Sequence, residues 1–219
     1  MPSSRPDHIP LILDLVRQLR PSSILDIGTG FGKWGMLFRE YSDIILSENH
    51  PVRYRREGWR VRIDGVEGFE AYLTPVHRYV YDEVFVGDMR KVVPELGRYD
   101  LIFLGDVIEH VDKRDGLRLL ADCLGRANQA VIVSTPARET HQAAVCHNAL
   151  EIHRSLWGGS DFAKLGRPIL ETVDPDILVA VLLKDGVPRP SLPGRARRMR
   201  RRLRPLKSAL GRLGLWPTG

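Results

Sequence analysis

The chain has 219 residues, 33 basic and 27 acidic, 43% hydrophobic, with only two cysteines, Cys123 and Cys146. That length suffices for one buried core of ordinary size, and two cysteines rule out a disulfide framework, so a reducing cytoplasmic setting is expected. The net charge of +6 comes from the end of the chain: ten basic residues follow Pro188 with no acid among them, leaving 23 basic against 27 acidic in the body. A basic body built for nucleic acid is thereby excluded, and no segment is expected to span a membrane or act as a signal peptide.

Apolar residues at helical spacing predict a first helix over residues 7–20, with Asp7 as N-cap and Pro21 as its end. A strand follows over 22–27, then a glycine-rich turn, then a helix over 31–41. Residues 42–58 read as an irregular polar loop with several arginines. Alternation predicts a second strand over 59–66, and Glu67-Gly68-Phe69 turns the chain into a helix reaching roughly His77. A third strand covers 83–86, a short helix 90–96, and a continuously apolar fourth strand 99–106. Residues 113–126 are an amphipathic helix and 129–134 a fifth strand. After a polar stretch over 137–159, a short helix is expected over 160–165 with Ser160 as cap. Strands over 168–173 and 177–184 flank a turn at Asp174-Pro175-Asp176. Residues 188–193 read as a linker. Beyond it, arginine runs alternate with leucines, giving a basic amphipathic tail suited to disorder or to an anionic membrane surface, and less to a nucleic-acid backbone.

The most informative stretch is Ile24-Leu25-Asp26-Ile27-Gly28-Thr29-Gly30-Phe31-Gly32. A strand, a tight glycine turn and a helix N-terminus together make a ligand cradle, because backbone can approach a ligand where no Cβ stands. Asp26 puts a negative charge where a phosphate-binding turn avoids one, which suits a ligand with a positive group. Asp26, Gly28, Gly30 and Gly32 match motif I of the class I S-adenosylmethionine (SAM) dependent methyltransferases, which the chain resembles. Asp106-Val107-Ile108-Glu109-His110-Val111 and Ser134-Thr135-Pro136 resemble segments of the ubiquinone-biosynthesis-type branch (methyltransferase types 11 and 12).

The resemblance implies an α/β fold over residues 1–187: a doubly wound, Rossmann-like sheet of seven strands, mostly parallel, with one antiparallel strand near the C-terminal edge. Residues 188–219 form a separate tail. The resemblance further implies SAM as cofactor. Asp26, Gly28, Thr29, Gly30 and Gly32 would take its methionine part, and Gly105 and Asp106 would line the same end. Glu67, preferred to Asp64 as ribose ligand, follows the strand's last apolar residue, whereas Asp64 reads as an exposed carboxylate within the strand. Asp88 would accept from the adenine amino group, with Met89 packed on the ring. Asp88 also reads as a helix cap.

Methyl transfer is a direct displacement, so it asks mainly for alignment, with a base where the acceptor is a hydroxyl. His110 and His153 are candidate bases, and packing is the other role open to His110. Glu109, His147, Asn148 and Trp157 are candidate acceptor contacts. No metal is expected, since the histidines lack a zinc-site spacing. The acceptor would be a small molecule, a sugar or a lipid-linked glycan, methylated on oxygen more readily than nitrogen, because the Asn-Pro-Pro-Tyr segment of many amino-group methylators is missing. Two alternatives stay open. Gly30-x-Gly32-x-x-Gly35 also spells a dinucleotide fingerprint, although no acid stands about 20 residues on. A non-catalytic binding module on the same fold is the other.

Overall fold

The computed structural model describes residues 5–45, 54–145, 147–173 and 175–192. Helix α1 (Ile9–Leu19) buries Leu11, Ile12, Leu15 and Val16 and leaves Arg17 exposed. Then come β1 (Ser23–Ile27), α2 (Lys33–Arg39), β2 (Arg62–Glu67), α3 (Pro75–Val80), β3 (Glu83–Val86), α4 (Met89–Val92) and β4 (Tyr99–Gly105). The chain continues with α5 (Lys113–Arg126), β5 (Ala127–Pro136), α6 (Gly159–Ala163), β6 (Ile169–Val173) and β7 (Ile177–Leu183). The strands form one sheet in the order β3-β2-β1-β4-β5-β7-β6. All pairs are parallel except those of β7, which runs antiparallel to both β5 and β6. This is the expected seven-stranded, Rossmann-like sheet.

Strand alternation sorts the core into two layers. Leu25, Ile27, Ile102, Leu104, Val131 and Val133 pack on one face with Leu119 and Leu120 of α5 and with Trp157 and Phe162. Ile24, Leu101, Phe103, Ala130 and Ile132 pack on the other with α1, with Trp34 and Phe38 of α2, and with Val80 and Tyr81. With helices on both faces, the middle strands are largely buried and mostly apolar, as β4 is from Leu101 to Leu104.

Several predicted boundaries move for local reasons. The N-cap of α1 is His8, not Asp7. The helix predicted over 31–41 is α2 followed by a π-helical turn at Glu40–Ile44. That turn is tied down by the buried Arg39, which donates to Asp43 at 2.7 Å, to Asp82 at 3.0 Å and to the carbonyls of Val61 and Val80. Residues 59–61 are not strand, because Trp59 covers the Arg39 guanidinium at 4.4 Å instead. Nor does one helix run to His77. Pro75 forces Thr74 to be extended (φ −122°, ψ 171°), so Glu70–Tyr72 make a 3-10 turn and α3 starts afresh at Pro75. At α6 the cap is Gly158, whose N–H donates to Asp161 at 3.0 Å, and Ser160 is exposed.

Strand β5 outruns its prediction at both ends: Ala127 pairs with Tyr99 of β4 at the start, and β7 pairs with it as far as Pro136 at the finish. The expected turn at Asp174-Pro175-Asp176, the middle of the 42–58 loop, Cys146 and the tail from residue 193 lie wholly or partly outside the described residues. Ser191 is fastened to α1: its N–H donates to Gln18 at 2.8 Å, and Gln18 donates to its carbonyl at 3.0 Å. Among the described residues no helix is long and apolar enough to cross a membrane.

Candidate active site

A cavity of about 310 Å³ opens at the carboxyl ends of β1, β2, β3 and β4. Position follows from topology, since ligands of open α/β sheets bind beyond the strand ends. The turn after β1 supplies Gly28, Thr29 and Gly30. Glu67 comes from the end of β2, Asp88 and Met89 follow β3, and Gly105 and Asp106 end β4. Eight of the ten residues expected to hold a cofactor are thus on one wall.

The turn is shaped by its glycines. Gly28 has φ +75°, and a Cβ on it would lie 2.4 Å from Val107 Cγ2, so no side chain fits. The N–H groups of Gly28 and Thr29 donate to the Val66 carbonyl, which seats the turn against β2. Glu67 accepts from Gly30 N–H at 2.8 Å on one oxygen and from Phe69 N–H at 2.8 Å on the other. Its carboxylate is therefore fixed in the cavity wall. Burial raises its pKa, against the pull of those donors.

Asp26 and Gly32 are not on that wall. Gly32, at φ +87°, begins α2, and Asp26 is wholly buried behind the turn. There Tyr81 donates its hydroxyl to Asp26 Oδ2 at 2.6 Å and accepts from Gly35 N–H at 3.1 Å. The other oxygen, Oδ1, has no hydrogen-bond partner among the described residues. Burial pushes the Asp26 pKa up to about 7, with the Tyr81 bond opposing. The predicted partner of a ligand ammonium is thus a core residue bracing the turn. Asp64 is also not the exposed carboxylate expected: it is buried and accepts from Tyr99 at 2.6 Å and Arg62 at 2.7 Å.

At the β3 end, Asp88 caps α4 by accepting from Arg90 N–H at 3.0 Å, and the Arg90 guanidinium grips the same carboxylate at 2.7–3.1 Å. Arg90 holds the Asp88 pKa below its ordinary value. Asp106 adopts a left-handed conformation (φ +54°), unusual for a residue with a Cβ, with its N–H bonded to Ser134 O at 2.9 Å. The His8 ring is buried behind it, Nε2 4.0 Å from Asp106 Oδ2.

The far wall comes from the stretch between β5 and α6, where Asn148, Leu150, Glu151 and Arg154 line the cavity and His110 lies against the same stretch, 3.4 Å from the Ile152 carbonyl. Leu150 and Arg154 were not singled out from the sequence, nor were Lys33 and Tyr72. Asn148 caps the 3-10 turn at Ala149–Glu151 by accepting from Leu150 N–H at 2.9 Å.

Four expected contacts stand elsewhere. Trp157 is 1% exposed and belongs to the core, donating its indole N–H to Ser155 at 2.8 Å. His147 is exposed and not part of the cavity wall. Glu109 points inward, 2% exposed, and accepts from Thr135 at 3.1 Å. With His153 it lines a neighbouring cavity of about 190 Å³. Arg154 borders both cavities.

Glu109, His110 and His153, remote in sequence pattern from a zinc site, each bring one nitrogen or oxygen within 4.8 Å of the others. Such a trio can hold a proton or a cation between them. Burial raises the Glu109 pKa well above the carboxylate range. It also lowers that of His110, and the neighbouring His153, 5.0 Å away between ring centres, adds to the effect.

No family profile matches the chain, and no curated protein matches it in sequence. Its fold does match solved structures. PigF with SAH superposes at a TM-score of 0.56 with 17% identity, covering 82% of this chain and 55% of that one. An O-methyltransferase family protein from Burkholderia thailandensis gives 0.50 and 13%, covering 82% and 58%. A SAM dependent methyltransferase from Archaeoglobus fulgidus gives 0.54 and 13%, covering 80% and 94%. The chain has the class I methyltransferase fold, and it spans little more than half the length of the first two of these proteins.

Proposed function

We propose that the chain is a SAM-dependent methyltransferase acting on a hydroxyl, less readily an amine, of a small-molecule, sugar or lipid-linked acceptor. The observation that carries this reading is the Glu67 carboxylate, held at both oxygens by backbone N–H groups on a wall shared with the glycine turn. A rigid acceptor pair beside a turn stripped of side chains fits a ribose with two hydroxyls. The acids Asp88 and Asp106 on the same wall fit a ligand with amino groups rather than phosphates. SAH in PigF supports the choice of cofactor.

When bound, SAM supplies a methyl group already activated by its sulfonium. The residues of the chain then bind and align. Glu67 holds the ribose, Gly28 and Gly30 let the cofactor lie on backbone, Met89 packs on the adenine, and Gly105 and Asp106 line the methionine end. His110 faces the cavity, and burial together with His153 keeps its ring neutral at pH 7, ready to take a proton from an acceptor hydroxyl. Asn148 and Arg154 meet the acceptor from the far wall. The enzyme unit is residues 1–187, working in the cytoplasm. The basic tail of 188–219 would bring it to an anionic membrane when the acceptor is lipid-linked.

Calorimetric titration with SAH, NADH and NADPH tests the reading. Wild type binds SAH one to one, and Glu67→Ala weakens it about tenfold or more, since charged hydrogen bonds are lost. Binding of a nicotinamide dinucleotide in place of SAH, or of neither, overturns it.

A further inference from the structure

Behind the glycine turn lies a directed hydrogen-bond chain that begins in α3. Thr74 caps that helix, and its N–H donates to His77 Nδ1 at 3.0 Å. Here His77 occupies the N3 position where a glutamate or glutamine ordinarily completes a capping box. A nitrogen that accepts an N–H carries no proton, so the neutral ring has its proton on Nε2. Nε2 lies 3.1 Å from Thr29 Oγ1, which therefore accepts from it. Thr29 in turn directs its own hydroxyl hydrogen to Glu67 Oε2 at 3.3 Å, the oxygen that also accepts from Gly30 N–H.

His77 is 2% exposed and Thr29 3%, so the bond between them is buried. The imidazole also lies beside the turn: a Cβ added to Gly32 would come within 3.5 Å of its Cε1. Its far face stacks on Tyr81, the residue that braces Asp26. Burial lowers the His77 pKa, which favours the neutral form the chain of bonds requires.

We infer that His77 is a positioning residue for the carboxylate of Glu67: as the Nε2–H tautomer it orders Thr29 and, through Thr29, the ligand-facing end of β2. What Glu67 grips rests on the methyltransferase reading, whereas the tautomer and the relay do not.

Two measurements test this. Long-range 15N–1H correlation of the imidazole at pH 7 shows the Nε2–H tautomer for His77, and an Nδ1–H ring or an imidazolium overturns the inference. Calorimetry with SAH then compares substitutions that all respect the helix cap. His77→Gln keeps both an acceptor for Thr74 and an N–H for Thr29, and binds within about threefold of wild type. His77→Glu keeps the cap acceptor but has no proton to give; its buried carboxylate lowers the unfolding midpoint, and well below that midpoint binding weakens about tenfold or more. Thr29→Val weakens binding alike, and the double variant His77→Glu/Thr29→Val is no worse than either alone. Wild-type affinity in His77→Glu, or equal losses in His77→Gln and His77→Glu, overturns the inference while the methyltransferase reading stands. Failure of wild type to bind SAH overturns that reading and the ribose role with it, leaving the tautomer to be judged by its spectrum.

Discussion

The Asp26 carboxyl keeps its proton up to about pH 7 in the folded chain, whereas an unfolded one releases it near pH 4. Between those values the folded state binds the extra proton, so stability falls as pH rises. From this group alone the slope is about 1.4 kcal/mol per pH unit, and it vanishes above pH 7, where both states are ionised. Asp26→Asn still accepts from Tyr81 and has no charge to bury. Urea unfolding at pH 5 and pH 8 is expected to show a variant that lacks this slope and exceeds wild type at pH 8. Because Asp26 is off the cavity wall, SAH affinity should change little. Tyr81→Phe strips the hydroxyl that joins Asp26 to Gly35 and should destabilise by about 1–3 kcal/mol in the same assay. Asp26 and Glu67 also mark the limit of reading roles from strand ends. Both are acids beside the glycine turn, and the sequence offers no means of telling which one faces ligand. The difference is the partner each finds: Tyr81 lies 55 residues downstream of Asp26, and nothing local announces it.

Among the elements, β4 and α5 were the easiest to read, one as a continuous apolar run and the other as a clean amphipathic period. The start of α3 is legible too, since Thr74-Pro75 is an N-cap followed by a first-turn proline. The stretch from 137 to 159 was opaque, because its aromatic and acidic residues look exposed in a polar sequence. Trp157 shows why that impression fails. It fills the core beside α5, where a Cβ on Gly116 would lie 2.4 Å from its ring. Trp157→Ala should destabilise by about 3–5 kcal/mol, and Gly116→Ala by about 1–3 kcal/mol through overpacking, both read by chemical denaturation. The π turn after α2 was invisible for another reason: its anchor, Arg39, sits in sequence like any surface arginine of a helix end. Arg39→Ala leaves Asp43 buried without its partner and should cost about 3–5 kcal/mol.

At the scale of the whole molecule, the cavity is lined by residues between 28 and 112 and by residues between 148 and 154. Truncation after Leu192 is expected to leave the unfolding midpoint and SAH affinity unchanged. Truncation after Val187 loses the ties between Ser191 and Gln18, and should lower the midpoint by about 2–4 °C without altering SAH affinity. Sheet order has a further consequence for the chain as it is made. Strand β5 joins β4 early, yet its other edge, seven residues from Ala130 to Pro136, waits for β7 at Ile177–Leu183. Until residue 183 has left the ribosome tunnel, a long apolar edge stands open on an otherwise assembled half-sheet. The nascent chain at that stage is a natural client for a holdase chaperone. Release of a fragment ending before β7 should yield aggregates, while release after residue 192 yields soluble protein.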